Sequence, residues 1–292
     1  MTDYENAVEI SGVTKKYDGF TLDNISFSIP KGCIMGFIGQ NGAGKTTTIR
    51  SMLNITGIDS GEIKLLGLDH IKDETELKKR IAVVFDELPF HDIFTVKDMS
   101  RIFEGMYPGW DNDVYLKYIE RFELPVKKKI GKFSKGMKMK LQIACALSHN
   151  AELLVMDEAT TGLDPVVRDE ILHIFMEYMQ NGERSILMSS HITSDLEKIA
   201  DMVTFIDKGR ILLTGYRDEI TEKHGILKCS KEKLAEIDPE DIVSIRTNSF
   251  GAEVMVSDSE SAAYKYRDCV IDPAGLDDIM LYYVHRDAKE WS

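Results

Sequence analysis

The feature that most constrains this 292-residue chain is a glycine-rich segment that ends in lysine and threonine. The segment Gly39–Thr46 has the pattern Gly-x-x-x-x-Gly-Lys-Thr, follows the apolar run Ile34–Ile38 and precedes a helix predicted at Thr47–Leu53. In such a connection, glycines let backbone N–H groups curl around phosphate oxygens at a helix end whose dipole favours anions. The pattern therefore predicts a phosphate-binding P-loop between a strand and a helix.

The two residues that close the P-loop indicate which ligand it holds. Lys45 is expected to reach the β- and γ-phosphates of a nucleoside triphosphate, and the Thr46 hydroxyl is expected to ligate Mg²⁺. We therefore predict ATP and Mg²⁺ as the cofactors. The residues of this segment predicted to bind the nucleotide are Gly39, Gln40, Asn41, Gly42, Ala43, Gly44, Lys45, Thr46 and Thr47.

Short apolar runs recur through the first 215 residues and predict the strands of an α/β fold. Buried-looking runs that are separated by helical patterns are typical of a parallel sheet covered on both faces. The strand signal disappears between about Thr95 and Leu147, and the helical spacing there predicts an all-helical insert at about residues 88–150. The predicted strands are Val8–Ile10, Ile25–Ile29, Ile34–Ile38, Glu62–Leu66, Ile81–Phe85, Leu153–Met156, Ile186–Met188 and Val203–Ile206.

The pattern changes after Gly215, and we predict a small α+β domain at residues 216–292, appended to a domain at residues 1–215. Strands are predicted at Ile242–Arg246 and Glu253–Val256. A final helix is predicted with Asp272 as its N-cap and Pro273 at its first position. Its apolar face is predicted to consist of Leu276, Ile279, Met280 and Tyr283.

Two carboxylates, Asp157 and Glu158, end the predicted strand that begins at Leu153. Strand-end carboxylates near a P-loop can hold Mg²⁺ and orient an attacking water. We assign Asp157 to the Mg²⁺ shell and Glu158 to the water as general base. Because helix N-termini also favour acidic residues, the assignment depends on the P-loop upstream.

Further motifs, in chain order with the P-loop and the two acids, resemble those of ABC-type ATPases. The segment Ala159–Pro165 is similar to the family's D-loop, and Phe133–Lys138 lies in the place of its Leu-Ser-Gly-Gly-Gln signature. His191 follows a strand as the family's switch histidine does. Tyr17 lies where the family stacks an aromatic ring on adenine, although it also fits a half-buried strand residue. The site residues implied by the resemblance are Lys45, Glu158 and His191 for catalysis, and Tyr17, Ser134, Gly136 and Asp164 for the nucleotide.

Two regions depart from the family's pattern. Lys135 replaces the first glycine of the signature's pair, and Met137–Lys138 stands where Gly-Gln is expected. Asp86 stands in the place of a glutamine that contacts Mg²⁺ in the family. A carboxylate ligates a hard cation at least as well as an amide, so we predict Asp86 as a metal ligand with Thr46 and Asp157.

Two clusters near these motifs have more than one interpretation. The aromatic residues after Asp86 form either the core of the helical insert or a surface that receives a helix of a membrane partner; they are Phe90, Phe94, Phe103, Tyr107 and Trp110. Seven lysines in residues 127–140 form either a solvated helix face or a positive collar for a nucleotide bound by a second subunit. Nucleic-acid binding fits less well, because the chain's net charge is −13.

The resemblance covers about residues 7–215 and implies an α/β P-loop NTPase of the ABC ATPase type, with an antiparallel β flank and a helical subdomain. It also implies an ATP-hydrolysing subunit that dimerises with an identical or paralogous ATPase subunit and drives a separate transmembrane permease. The tail Ala274–Leu281 is similar to the final helix of ATPases paired with ABC-2-type exporters. Within that group, Phe85–Asp86 and Met106–Asp111 are similar to the subset that serves antimicrobial-peptide resistance and cytolytic-peptide export.

The chain shows no signal-peptide pattern and no apolar run near the ~18 residues of a membrane span. Its four cysteines have no C-x-x-C pairing, which is typical of a reduced cytosolic protein. We therefore expect a cytoplasmic protein that is peripheral on the inner face of the cell membrane and has no nucleic-acid partner. Two alternatives stay open: a soluble ABC ATPase that acts outside transport, and a module that holds ATP with little turnover.

Overall fold

The computed structural model describes residues 4–86, 90–249, 251–286 and 290–291, and these residues form three β-sheets with helices between them. The first sheet is antiparallel, with β1 at its centre between β2 and β4. Its strands are β1 (Asn6–Tyr17), β2 (Phe20–Pro30), β4 (Ser60–Leu65) and β5 (Leu68–Asp69). This sheet confirms the antiparallel flank expected beside the P-loop domain.

The second sheet carries the P-loop and has the order β10-β9-β3-β8-β7-β6. Its strands are β3 (Ile34–Ile38), β6 (Ile81–Phe85), β7 (Leu153–Asp157), β8 (Ser185–Ser190), β9 (Met202–Asp207) and β10 (Arg210–Tyr216). All neighbours are parallel except β10, which runs antiparallel to β9. The carboxyl ends of β3, β7 and β8 therefore meet at one edge of this central sheet.

Both faces of the central sheet are buried, and successive residues of a strand belong to different hydrophobic cores. In β3, Ile34 and Ile38 join one core, whereas Met35 and Phe37 join the other. This alternation follows from the two-residue period of a strand. The helices that flank the sheet are α1 (Lys45–Met52), α2 (Glu74–Arg80), α6 (Pro165–Tyr178) and α7 (Thr193–Ile199).

The predicted helical insert is present between β6 and β7. It consists of α3 (Val96–Met106), α4 (Asn112–Arg121), a 3₁₀ turn (Ile130–Lys132) and α5 (Lys135–Leu147). The fully buried Tyr115 hydroxyl donates to the carbonyl of Val96, which joins α4 to α3. The Gln142 amide exchanges two hydrogen bonds with the backbone of Phe85, at 3.0 and 3.2 Å, and so fixes α5 to the end of β6.

The aromatic residues of the insert pack on one another. The Phe103 ring lies 5.4–5.6 Å from the rings of Phe90, Tyr107 and Trp110, and Tyr107 contacts His149 at a ring distance of 4.3 Å. Phe90, Phe94, Phe103 and Trp110 are partly buried against the core. The packing favours the interpretation of this cluster as core of the insert.

The third sheet lies in the C-terminal part of the chain, in the order β14-β11-β13-β12-β15, and is antiparallel except where β15 pairs with β12. Strands were predicted at β12 and β13, whereas the other three were missed. The elements are α8 (Arg217–Lys223), β11 (Gly225–Cys229), α9 (Lys231–Leu234), β12 (Ile242–Thr247), β13 (Ala252–Val256), α10 (Ser259–Lys265), β14 (Val270–Pro273), α11 (Leu276–Val284) and β15 (Glu290–Trp291). Among the helices of the described ranges, none has the length and apolar character of a bilayer-spanning segment.

The predicted start of the final helix was wrong. Asp272 and Pro273 belong to β14, which pairs with β11, and α11 has Gly275 as its N-cap. Proline is tolerated here because β14 is an edge strand, where a missing N–H breaks no central ladder bond. The predicted apolar face was right: Leu276 and Ile279 are fully buried, Tyr283 is buried, and Met280 packs against the same core.

Helix α11 joins the core of the central sheet. Leu276 and Ile279 belong to the same hydrophobic cluster as Leu196 and Ile199 of α7. The third sheet has a separate and smaller cluster around Leu227. The C-terminal segment is therefore attached to the central sheet through buried apolar contacts of α11.

We predict that Leu276→Ala lowers the free energy of unfolding of the whole chain by about 2–5 kcal/mol, because it removes a fully buried side chain and leaves a cavity. Chemical denaturation measures this change. The control is Val166→Ala, at a side chain that is 79% exposed on α6, with an expected change within about 0.5 kcal/mol. Equal stability of the two variants would show that α11 does not share the central core.

Candidate active site

The P-loop connects the buried strand β3 to α1, and its glycines meet steric demands that other residues do not. Gly42 and Gly44 have φ values of 81° and 119°, in the left-handed region that favours glycine. A Cβ on Gly39 would lie only 2.5 Å from the carbonyl oxygen of Ile206. Gly44 is the N-cap of α1 and has no side chain, so the first N–H groups of this helix receive no side-chain cap. The loop therefore presents backbone N–H groups suited to an anion.

Lys45 is the first residue of α1, and its ammonium is almost fully buried, with 5% of the residue exposed. Its Nζ donates to the carbonyl oxygens of Gly39 and Gln40 at 2.6 and 3.2 Å. Nζ also lies 3.0 Å from Oε1 of Glu158. A buried ammonium requires such partners, because an unpaired charge away from water is costly.

Asp157 and Glu158 end β7, and Ser189 of the adjacent strand β8 fixes both of them. The Ser189 hydroxyl donates to Oδ1 of Asp157 at 2.8 Å and accepts from the backbone N–H of Glu158 at 3.0 Å. Asp157 and Ser189 lie opposite each other in the parallel register of β7 and β8. Ser189 was not predicted, although it lies two residues before His191.

The two oxygens of the Glu158 carboxylate have different neighbours. Oε2 accepts from the Thr161 hydroxyl at 2.6 Å and lies 2.8 Å from Nδ1 of His191. Oε1 faces Lys45, is buried and has no well-aligned hydrogen-bond donor among the described residues. We refer to Lys45, Glu158, Thr161 and His191 as the Glu158 cluster.

Backbone geometry at Glu158 brings Thr161 into the cluster. Glu158 has a φ of 55°, which is unusual for a residue with a side chain. The backbone N–H of Thr161 donates to the carbonyl oxygen of Glu158. This turn returns the Thr161 hydroxyl to the carboxylate. The sequence does not predict this role for Thr161. Thr160 and Thr161 are adjacent in the loop after Glu158, and residue type alone does not distinguish which of them contacts the carboxylate.

The environment of Glu158 favours its ionised form. Burial raises the pKa of this carboxyl, but the hydrogen bonds from Thr161 and His191 and the nearby charge of Lys45 outweigh burial. The pKa therefore lies below the ordinary value of 4.5. At neutral pH the side chain is a carboxylate that can only accept hydrogen bonds.

The three predicted metal residues lie around the same sheet edge but are not joined to one another by a described contact. Thr46 is exposed on the first turn of α1, and Asp157 is buried. Asp86 follows Phe85, which lies opposite Asp157 in the register of β6 and β7. Its Oδ1 accepts from Nζ of Lys135 at 2.6 Å, so this acid is paired with the lysine that departs from the signature pattern.

The donor set still fits Mg²⁺. In the part of the chain that the structure describes, no group of three or more His, Cys, Asp or Glu side chains is placed to hold a metal ion. Mg²⁺ needs no such group, because it usually keeps several waters and takes one or two carboxylates together with substrate phosphates. A carboxylate beside a phosphate-binding loop supplies that kind of site.

Ser134, Gly136 and Asp164 lie at the starts of α5 and α6, not in the P-loop. Ser134 is the N-cap of α5 and accepts from Met137, and Asp164 is the N-cap of α6 and accepts from Val167. None of their described hydrogen bonds reaches residues 39–46. A Cβ on Gly136 would meet other side chains only at 4.0 Å, so the packing of this chain does not require glycine there.

Two other predictions can be compared with the structure. Tyr17 ends β1 with 46% of the residue exposed, and Nζ of Lys15 lies 5.6 Å from its ring centre. In the lysine-rich segment 127–140, three of the seven lysines form ion pairs with other residues that the structure describes. The pairs are Lys135–Asp86, Lys138–Asp92 and Lys140–Glu170.

Comparison with known proteins identifies the family. The model of the ABC transporter family matches residues 22–161. The bacitracin transport ATP-binding protein BcrA of Bacillus licheniformis is 34% identical over 70% of this chain and 68% of its own length. The Nod factor export ATP-binding protein I of Mesorhizobium japonicum is 30% identical over 97% of this chain and 88% of its own length. A solved ATP-binding subunit of an ABC transporter superposes with a TM-score of 0.67 at 25% identity, over 73% of this chain and 91% of that one.

The chain belongs to the family of ABC transporter ATP-binding proteins. It is therefore an ATP-binding subunit with the P-loop ATPase fold, and members of this family hydrolyse ATP to power transport. The fold class and the family that the sequence motifs indicated are both confirmed.

The Lys45–Glu158 pair predicts a pH-dependent stability of the nucleotide-free protein. Because the folded-state pKa of Glu158 is lowered, its carboxylate stabilises the fold above the unfolded value of 4.5, and this contribution is lost as pH falls below it. Glu158→Gln should lower the free energy of unfolding at pH 7 by about 1–3 kcal/mol. Denaturation at pH 7, 5 and 4 should show the gap to wild type shrinking at pH 4. The control is Glu120→Gln at an exposed position on α4, and a pH-independent gap would contradict the charge pairing.

Proposed function

We propose that Glu158 is the general base for ATP hydrolysis in this chain, and that Lys45 and His191 are its catalytic partners. The observation that supports this proposal is the Glu158 cluster, in which one carboxylate lies within 3.0 Å of Lys45, His191 and Thr161. The cluster is at the carboxyl edge of the central sheet, beside the P-loop. Positioning of this kind accounts for most of the catalysis of phosphoryl transfer.

The two oxygens of Glu158 have separate roles in this proposal. A γ-phosphate in the P-loop is a strong anionic partner for Lys45, and its arrival would draw the ammonium away from Oε1 of Glu158. Thr161 and His191 would continue to hold Oε2. Oε1 then accepts a proton from the attacking water as the new O–P bond forms and the bond to ADP breaks.

The move of Lys45 from Glu158 to the phosphate would also make Glu158 a stronger base. While Lys45 is paired with the carboxylate, its charge lowers the pKa and weakens the base. When Lys45 moves to the phosphate, burial remains and raises the pKa toward the range in which a general base works best. The nucleotide-free pairing therefore keeps the base inactive until phosphate arrives.

Thr46, Asp157 and Asp86 are the residues that we propose for Mg²⁺. Mg²⁺ bound with the nucleotide would offset the negative charge of the phosphates. Ser189 holds Oδ1 of Asp157 and so orients this carboxylate. Asp86 would have to leave Lys135 to contribute an oxygen.

The remaining predicted residues point to a second subunit. Ser134, Gly136 and Asp164 make no described contact with this chain's own P-loop, and the space around Gly136 allows a close approach. We propose that they bind a nucleotide held by a second ATPase subunit, either identical or paralogous. Tyr17, exposed at the end of β1, is proposed to stack on adenine.

We propose further that the chain powers export through a separate permease at the inner face of the cell membrane. The relatives named for bacitracin transport and Nod factor export support this direction. A largely apolar groove of about 180 Å³ is lined by Leu53, Ile55, Leu77 and Tyr107, among others. Phe85, the residue before Asp86, also lines this groove. We propose this groove as the docking surface for the permease. In this scheme residues 1–215 form the nucleotide-binding domain and residues 216–292 an accessory domain.

The proposed roles predict different defects at Lys45 and Glu158. Lys45→Ala should raise the Kd for ATP at least ~100-fold, a loss of about 2.7 kcal/mol. Glu158→Gln should keep the Kd within a few-fold of wild type but lower kcat by ~10²–10⁴. A fluorescent ATP analogue and a phosphate-release assay measure the two quantities. Lys72→Ala, at an 82% exposed side chain, is the control, and unchanged turnover by Glu158→Gln would refute the base assignment.

The transport proposal predicts co-purification of a multi-span membrane protein. The tagged chain should recover this partner in stoichiometric amount from detergent-solubilised native membranes. Ile55→Glu, in the groove and 60% exposed, should lose the partner while ATP binding is kept. The control is Val270→Glu, which is 63% exposed on the third sheet. Recovery from the soluble fraction alone would favour a soluble ABC ATPase instead.

A further inference from the structure

Helix α7 begins immediately after His191. Its N-cap position, Ile192, provides no side-chain cap, and the Ile192 N–H donates instead to the Ser190 hydroxyl at 2.9 Å. Only Ile192 separates His191 from Thr193, the first residue of the helix. The location of the His191 ring therefore depends directly on where the first turn of α7 is held.

The first turn of α7 is held by a residue from the C-terminal segment. Thr193 is 2% exposed, and its hydroxyl donates to Oδ1 of Asp277 in α11 at 2.5 Å. Asp277 lies in the first turn of α11, where a negative charge is favoured by the helix dipole. A buried hydroxyl without this partner would lose its hydrogen bond.

The remainder of α7 is attached to the same segment. The backbone N–H of Leu276 donates to Oε1 of Glu197 at 3.0 Å, and Arg217 donates to the carbonyl of Glu197 at 2.7 Å. On its other side, α7 packs closely on β3: a Cβ on Gly36 would lie 2.9 Å from Leu196. Helix α7 is thus fixed between the P-loop strand and the C-terminal segment.

We infer that Thr193 and Asp277 are positioning residues for ATP hydrolysis, through which the C-terminal segment sets the His191 ring against Glu158. The inference rests on the proposed roles of Glu158 and His191. Neither Thr193 nor Asp277 makes a described contact with the P-loop, so the pair affects the chemical step and leaves nucleotide binding unchanged. Misplacement of a catalytic group by about 1 Å can cost up to ~100-fold in rate.

The test compares two acids in the same turn of α11. Asp277 contacts α7, whereas the Asp278 carboxylate accepts from Gly275 and caps only α11 itself. Asp277→Ala should lower kcat about 10-fold, with the Kd for ATP within two-fold of wild type. Asp278→Ala should keep kcat near wild type, although loss of the cap lowers its Tm. Equal kcat values for the two variants would overturn the inference.

Substitutions at Thr193 test the same contact from the other side. Thr193→Val should reduce kcat as Asp277→Ala does. Thr193→Ser keeps the hydroxyl and should have a kcat near that of wild type. The Thr193→Val/Asp277→Ala double variant should be no slower than either single variant, because both remove one interaction. Additive losses, or a loss in ATP affinity instead of kcat, would contradict the proposed pair.

A measurement without turnover distinguishes positioning from general destabilisation. In the nucleotide-free protein, Glu158→Gln should shift the NMR signals of the His191 ring, because the ring contacts this carboxylate at 2.8 Å. In the Asp277→Ala background the same substitution should produce a smaller shift, and an equal shift would count against the inference. Full turnover by both Glu158→Gln and His191→Ala would overturn the proposed function itself. Normal turnover by Asp277→Ala, with those two variants inactive, would overturn only the positioning role.

Discussion

The arrangement of the site depends on one buried positive charge. Lys45 is 5% exposed and begins α1 at the end of the P-loop, so its ammonium is largely shielded from bulk water. Two carbonyl oxygens of the P-loop satisfy part of its hydrogen-bonding capacity, and Glu158 is the acid that pairs with its charge among the described residues. Desolvation of an ion pair costs several kcal/mol per ion, so the pair persists only where its geometry and additional hydrogen bonds offset that cost. Thr161 and His191 provide those bonds on the carboxylate side.

In the proposed mechanism, the same pairing makes the nucleotide site responsive to its ligand. A phosphate that enters the P-loop competes with Glu158 for Lys45, because one ammonium group cannot pair closely with both anions. The carboxylate then loses its strongest cationic partner while it stays buried, so its affinity for a proton increases. In the proposed mechanism, ATP binding and activation of Glu158 as the base therefore follow from one electrostatic exchange.

The sequence predicted those parts of the site that are local in the chain. Strands β3 and β6 have the predicted bounds, because each is a continuous apolar run between clear boundary residues. The contacts of Ser189 and Thr161 were not predicted. The first depends on the register between two parallel strands, and the second on a turn with positive φ at Glu158, and neither is encoded by residue type alone. The Lys135–Asp86 ion pair joins residues that are 49 positions apart in the chain, a distance over which spacing carries no information.

The C-terminal segment shows how such long-range contacts extend the site beyond its motifs. Its sheet has a separate small core, yet α11 is inserted into the core of the central sheet beside α7. Since α7 has no side-chain N-cap of its own, the hydrogen bond from the Thr193 hydroxyl to Asp277 is a contact that ties its first turn to the C-terminal segment. When a distant segment holds the first turn of a helix, a displacement of that segment also moves the residue that precedes the helix. In this chain that residue is next to His191, and the contacts of α11 with α7 therefore connect the C-terminal segment to the proposed catalytic residues.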